Sequence, residues 1–224
     1  MMNTKESINA ENHFKSINEL LKNNIDRIDE LYFTETPAGL TDFHDLISGL
    51  QPGELIIIAG HSAKGASSLV INIVKDIAIN TGIGVVVFSM NMSAESMIFR
   101  MMSSQGKINV NKVCSGQLED DDWPHLTEAV FILNETNIFI DDTPALFPNE
   151  IQARVKDLTL EHSIGLVVID SLQLMQTKRQ SKNMPHDISI ISNELKVMAE
   201  EMNIPVIALS DILELKRDKL KEFP

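Results

Sequence analysis

The apolar run Leu55-Ile-Ile-Ile-Ala59 leads into Gly60, His61, Ser62, Ala63, Lys64, Gly65, Ala66, Ser67 and Ser68, and Leu69 to Asn80 then carries apolar residues at helical spacing. Strand, glycine-framed loop and helix in that order form the frame of the phosphate-binding motif G-x-x-x-x-G-K-[ST]. There the glycines let backbone N–H groups turn inward, the lysine neutralises phosphate charge and the hydroxyl holds Mg²⁺. Gly60 and Gly65 have the required separation and Ser67 stands at the hydroxyl position, but Ala66 occupies the place of the lysine. Two readings stay open on these residues: a phosphate cradle that has lost its cation, or an ordinary strand-turn-helix with glycines for tight turning. Lys64 and His61 lie on the loop, where each either reaches a phosphate oxygen or is simply solvated.

Downstream, strand and helix patterns alternate, which predicts a parallel sheet covered by helices. The expected strands are Val85–Ser89, Asn137–Asp142, Ile164–Asp170 and Pro205–Ser210. The expected helices are Ser93–Ser104 with Ser93 as N-cap, Pro148–His162 starting at Pro148 or Asn149, and Ile188–Met202. A phosphate loop after the first strand and an acid ending a later one imply a RecA-like P-loop NTPase sheet of the α/β class, with ligands at the carboxyl ends of the strands. Asp170 is then the candidate to hold Mg²⁺ with Ser67, although a strand-terminal Asp also serves as a turn former. Asp141 and Asp142 read as a solvated turn before Pro144.

Residues 1–38 form an expected N-terminal amphipathic linker helix and connector, with Phe14, Ile17, Leu20, Leu21, Ile25, Ile28 and Leu31 on one face. This helix either caps its own domain or docks on a neighbouring subunit. Residues 39–224 form the body. No apolar run approaches the roughly 20 residues of a membrane span. The opening residues lack a secretory h-region and Cys114 is alone, so a soluble, cytoplasmic protein is expected. A net charge of -13 argues against a chain-wide grip on nucleic acid. His13, His44, His61, His125, His162 and His186 show no ligand spacing with Cys114, so no zinc is expected. Trp123 is expected to be a core anchor, and Met90, Met92, Met97, Met101 and Met102 to fill core gaps or a subunit contact.

From Ile25 onward the chain resembles the C-terminal RecA-like ATPase domain of DnaB-type replicative DNA helicases. The likeness rests on Thr41-Asp-Phe-His-Asp-Leu-Ile-Ser-Gly-Leu-Gln-Pro-Gly-Glu-Leu-Ile-Ile-Ile-Ala59, Val87-Phe-Ser-Met-Asn-Met-Ser93 and Ser115-Gly-Gln-Leu-Glu-Asp-Asp-Asp-Trp123. It continues through Ile138-Phe-Ile-Asp-Asp142, Leu166-Val-Val-Ile-Asp-Ser-Leu-Gln-Leu-Met175 and Leu195-Lys-Val-Met-Ala-Glu-Glu-Met-Asn-Ile-Pro-Val-Ile-Ala-Leu-Ser210.

The resemblance implies ATP and Mg²⁺ as cofactors and a place in DNA replication, yet the departures fall on the chemistry. Where the family's loop ends Gly-Lys-Thr, this chain has Gly65-Ala66-Ser67. The glutamate that polarises the attacking water is replaced by Asn91, whose amide cannot act as a general base. The glutamine that senses the terminal phosphate is replaced by Asp211. The family's later strands, with DNA-binding loops and an arginine finger, are not expected after Asp211, where Leu213–Pro224 reads as a charged tail; nor is its N-terminal primase-interacting domain expected here. The implied function is a pseudo-ATPase that works through helicase-like subunit contacts, as a homo-oligomer or with DnaB-type subunits through the N-terminal helix. Single-stranded DNA would be met only through partners. The alternatives are an active ATP-dependent helicase, with Lys64 standing in for the lysine, and a remnant without function.

Overall fold

A computed structural model describes residues 49–60, 65–177 and 184–211. The expected helix at 14–31, the loop segment His61 to Lys64 and the tail from Leu213 lie outside the described residues. Five strands, β1 (Leu55–Gly60), β2 (Gly84–Ser89), β3 (Ile138–Asp141), β4 (Ile164–Asp170) and β5 (Val206–Asp211), form one sheet. Its order is β1-β5-β4-β2-β3, and every neighbouring pair is parallel. The helices are α1 (Ala66–Thr81), α2 (Ala94–Gly106), α3 (Val110–Ser115), α4 (Asp122–Asn134), α5 (Pro148–Thr159) and α6 (Met184–Met202).

The central strands are apolar in unbroken runs because both of their faces are covered. Side chains alternate across the sheet with period two, so each run divides between two cores. Val85 and Val87 of β2, Leu166 and Val168 of β4 and Ile207 of β5 join Ile73, Val74 and Ile77 of α1 and Met97 and Met101 of α2. Val86 and Phe88, Val167 and Ile169, and Ala208 turn the other way, onto Ile151 and Val155 of α5 and Leu195, Met198 and Ala199 of α6. A Cβ on Gly165 would run into the Ile83 side chain, so the bare glycine lets the segment before β2 close on β4.

Most expected elements are present, with shifts that have local causes. Helix α1 begins at Ala66, three residues before its apolar periodicity, because Gly65 takes the left-handed conformation (φ 99) and serves as its N-cap. Ser93 caps α2 as expected, accepting from Ser96 N at 3.3 Å. Helix α5 starts at Pro148, one of the two expected starts, and ends at Thr159 rather than His162; Phe147 is its N-cap, and the Glu150 carboxylate accepts from Phe147 N at 2.9 Å.

Two expectations fail. Asp141 and Asp142 do not form a free solvated turn. Asp141 ends β3 in an ion pair with Arg154, and Asp142 accepts from Ala94 N at 2.9 Å, supplying a carboxylate to the start of α2. Trp123 is not a core anchor but is 54% exposed, because α4 distributes apolar residues around its circumference and buries only Ala129. Met97 and Met101 are core, while Met90 and Met92 pack partly buried against the two clusters.

Candidate functional site

Because all five strands run the same way, Gly60, Ser89, Asp141, Asp170 and Asp211 end on a single rim. Strand register sets Gly60 opposite Asp211 and Ser89 opposite Asp170. Beyond β2, the Ser89 hydroxyl donates to Met92 O at 2.6 Å and Met90 N donates to Asp170 O at 2.8 Å. These bonds shape the short loop that carries Asn91, whose side chain is exposed.

Helix α1 brings Gly65, Ala66 and Ser67 to this rim. Its N-cap, Gly65, has no side chain and so supplies no side-chain oxygen to the first backbone N–H groups of the helix. Those donors and the positive end of the helix dipole suit an anion. Gly60 keeps the opposite wall low: a Cβ there would come within 3.2 Å of Ala66 Cβ.

The Ser67 hydroxyl donates to Asp170 Oδ2 at 3.0 Å, bringing together the two residues expected to share a metal ion. Asp170 is 5% exposed. Burial pushes its carboxyl above the usual carboxylate range; the Ser67 hydrogen bond opposes that, and the nearby Asp211 charge adds to it. Ser171, next in the chain, has a buried hydroxyl with no hydrogen-bond partner.

Sequence reasoning missed Gln173. It lies on a short 3₁₀ turn, Leu172–Leu174, three residues after Asp170, and its amide faces the tip of β5. Nε2 donates to Ser210 Oγ at 2.9 Å and to Asp211 O at 3.0 Å, and Oε1 accepts from Asp211 N at 3.1 Å. Asp211 is thereby held by both of its backbone polar groups. An amide three residues past a strand-terminal acid was the available signal.

Of the expected site residues, the structure places Gly60, Gly65, Ala66, Ser67, Ser68, Asn91, Asp170 and Asp211 at this rim. His61, Ser62, Ala63 and Lys64 lie outside the described residues. The donor set suits the magnesium part of a nucleotide complex, with a hydroxyl and a carboxylate already in contact. Among the described residues no three His, Cys, Asp or Glu side chains converge on one point, so a cation here would draw further oxygens from phosphate or water. The phosphate part is poorer, since Ala66 brings no charge to the first turn of α1.

A wholly parallel sheet in the order β1-β5-β4-β2-β3, with the glycine-framed loop after β1 and an acid at the tip of β4, defines a RecA-like ATPase-type domain. Residues 36–221 match the family described as DnaB-like helicase C terminal domain, and the chain belongs to that family. It is 37% identical over 215 residues to the replicative DNA helicase DnaB of Geobacillus stearothermophilus and 36% identical to the replicative DNA helicase DnaC of Bacillus subtilis. Each alignment covers 92% of this chain and 47% of the relative, so the chain spans about half the length of the relatives it matches. Among solved structures, it aligns with a DnaB-like replicative helicase studied with its primase interactions, at TM-score 0.82 and 25% identity, over 94% of this chain and 51% of the other. A second solved structure, of an ATPase domain, aligns at TM-score 0.81 and 25% identity, over 94% and 76%. Among the described residues no helix is long and apolar enough to cross a membrane.

Proposed function

We propose that this chain is a pseudo-ATPase of the replicative-helicase type, a RecA-like body from residue 39 preceded by a linker segment, which acts through helicase-like subunit contacts. The observation that carries this reading is the pattern of departures. Ala66, Asn91 and Asp211 all fall on the carboxyl rim, where phosphoryl transfer depends on positioning and charge stabilisation, whereas both cores and the Ser67–Asp170 contact are intact. Ser67 and Asp170 would hold Mg²⁺, and the Gly60–Ser68 cradle would hold the phosphates of ATP. When bound, the metal would neutralise phosphate charge. Asn91 has no basic group with which to take a proton from water, and Ala66 offers the phosphates a backbone N–H but no side-chain charge.

A surface suited to subunit contact supports the second half of the reading. A cavity of about 300 Å³ opens between α2, α4 and β3, lined by Ile98, Met101, Val130, Leu133, Ile138 and Ile140 among others. On the same helix α4, Phe131, next to Val130 in sequence, is 69% exposed and Trp123 54%. An apolar groove of this kind suits the apolar face expected for residues 14–31 of another copy, or the equivalent segment of a DnaB-type subunit, through helix-in-groove recognition.

The test is phosphate release from ATP with Mg²⁺, with and without single-stranded DNA, beside gel filtration of the chain mixed with a purified DnaB-type helicase. Absence of turnover together with co-elution is expected. Sustained hydrolysis would overturn the pseudo-ATPase reading and favour an active helicase subunit.

A further inference from the structure

We infer that the free edge of β1 joins the same edge of a second copy of this chain, making one continuous sheet across a two-fold axis at Ile57. This edge lies at the end of the sheet away from β3, and pairing there does not depend on nucleotide binding at the rim. The two edge strands differ in kind. Strand β3 is four residues long and ends in Asp141, paired with Arg154, the short and charged form that blunts an edge. Strand β1 is six residues long, and Leu55–Gly60 contains no charge and no proline. It runs against β5 in unbroken one-to-one register, with no bulge to twist it away. Among the described residues β5 is its only sheet neighbour. Val206 N donates to Glu54 O at 2.8 Å, so the polar groups of Glu54 point at β5, and by alternation those of Leu55, Ile57 and Ala59 point outward. The side chains of these residues lie on the α6 face, where Leu55 packs against the core while Ile57 is 46% exposed and Ala59 is exposed. Ile56 and Ile58 turn to the α1 side and are partly buried there. An antiparallel second β1 with its axis through Ile57 sets Ile57 opposite the Ile57 of the other copy, and Leu55 opposite Ala59. These are the pairs that exchange both N–H and C=O in an antiparallel ladder, so the outward groups of Leu55, Ile57 and Ala59 are satisfied. The two Ile57 side chains cover one another, and Glu54 falls opposite Gly60, so no like charges meet. An axis at Leu55 would set Ile57 opposite Gly53 and leave it bare, and an axis at Ile56 or Ile58 would need polar groups that those residues direct at β5. The contact is isologous, unlike a helix of one copy entering the α4 groove of the next.

The experiment is sedimentation equilibrium of the chain over a range of concentrations, as the parent and as Phe131→Ser, a background in which the α4 groove does not contribute. A reversible dimer of twice 25.0 kDa is expected in that background. Ile57→Lys and Ile57→Glu, each added alone, should lose it, because identical charges meet on the axis, and an equimolar mixture of the two should regain it. Recovery in the mixture is specific to an axis through residue 57. Ala59→Pro, which removes an outward N–H and none of the ladder to β5, should also lose the dimer, whereas Ile57→Val should keep it. A species that stays at 25.0 kDa up to about 1 mM, a dimer that survives Ile57→Lys, or a mixture of the charged variants that stays monomeric overturns the inference. Thermal denaturation checks that each variant is folded. If the charged variants are not, a dimer that survives Ala59→Pro decides against the inference and its loss decides for it.

Discussion

The Ser67 hydroxyl and Asp170 Oδ2 are 3.0 Å apart across 103 residues of sequence, and the bond ties the first turn of α1 to the tip of β4. It is an internal contact between two groups that would otherwise address a metal ion, and it fixes the helix start at the sheet rim without any ligand.

Removing the donor should therefore be felt by the fold. Ser67→Ala strands a buried carboxylate oxygen and is expected to cost about 1–3 kcal/mol, the range for a buried polar atom left unpaired. Ser67→Thr, which keeps a hydroxyl, should retain most of that stability. Urea denaturation of the three proteins checks this, and equal midpoints would show that the bond contributes nothing.

Asp170 has the opposite sign. Its folded-state carboxyl titrates above its unfolded value, mainly because of burial. The stability associated with that shift is thus complete at pH values below the unfolded pKa and is lost as pH rises through the folded one. In metal-free buffer at pH 7, Asp170→Asn should raise the Tm, since the amide keeps an acceptor for Ser67 and carries no buried charge. The gain should fade as the pH is lowered toward the range where the carboxylate itself protonates. A Tm difference independent of pH would show that the charge is not the cause.

Gln173 is expected to matter more than its position in a short turn suggests. Gln173→Leu keeps the bulk but removes three hydrogen bonds to the end of β5, and should cost about 1–3 kcal/mol. Hydrogen exchange at Asp211 N–H is the direct check, with faster exchange expected in the variant. Unchanged protection would mean that the strand tip holds itself.

The exposed face of α4 predicts a dissociation of stability from association. Phe131→Ser, at a side chain already 69% exposed, should change the folding free energy by no more than about 0.5 kcal/mol. The same substitution should weaken co-elution with copies of this chain or with a DnaB-type helicase. Loss of stability without any change in association would remove α4 from the proposed contact surface.

Legibility from sequence followed the number of neighbours that a residue's role requires. Strand β4 is found from Ile164 to Asp170, as expected, because a strand buried on both faces declares itself in an unbroken apolar run. The meeting of Ser67 and Asp170 was legible because each belongs to a motif whose spacing reflects a shared ligand. Trp123 was misjudged because a large aromatic suggests burial, while helix α4 offers the core only Ala129. The Gln173–Asp211 clamp was invisible because it joins two strand tips whose proximity comes from strand order, which local pattern does not encode, and the Arg154–Asp141 pair because it depends on how the short connection between β3 and α5 turns back. Helix α3, six residues long, is too short to show a period.

The parallel sheet keeps chemistry and architecture on separate ledges of the molecule. Every strand delivers its last residue to the same rim, while the side chains that hold the layers together lie one or more residues back along each strand. Asn91 projects from a loop already closed by Ser89, Ala66 packs only lightly on the outer edge of one core, and Asp211 is held by its backbone. A protein built this way can be stripped of its reactive groups one at a time and still present the same outline to its neighbours.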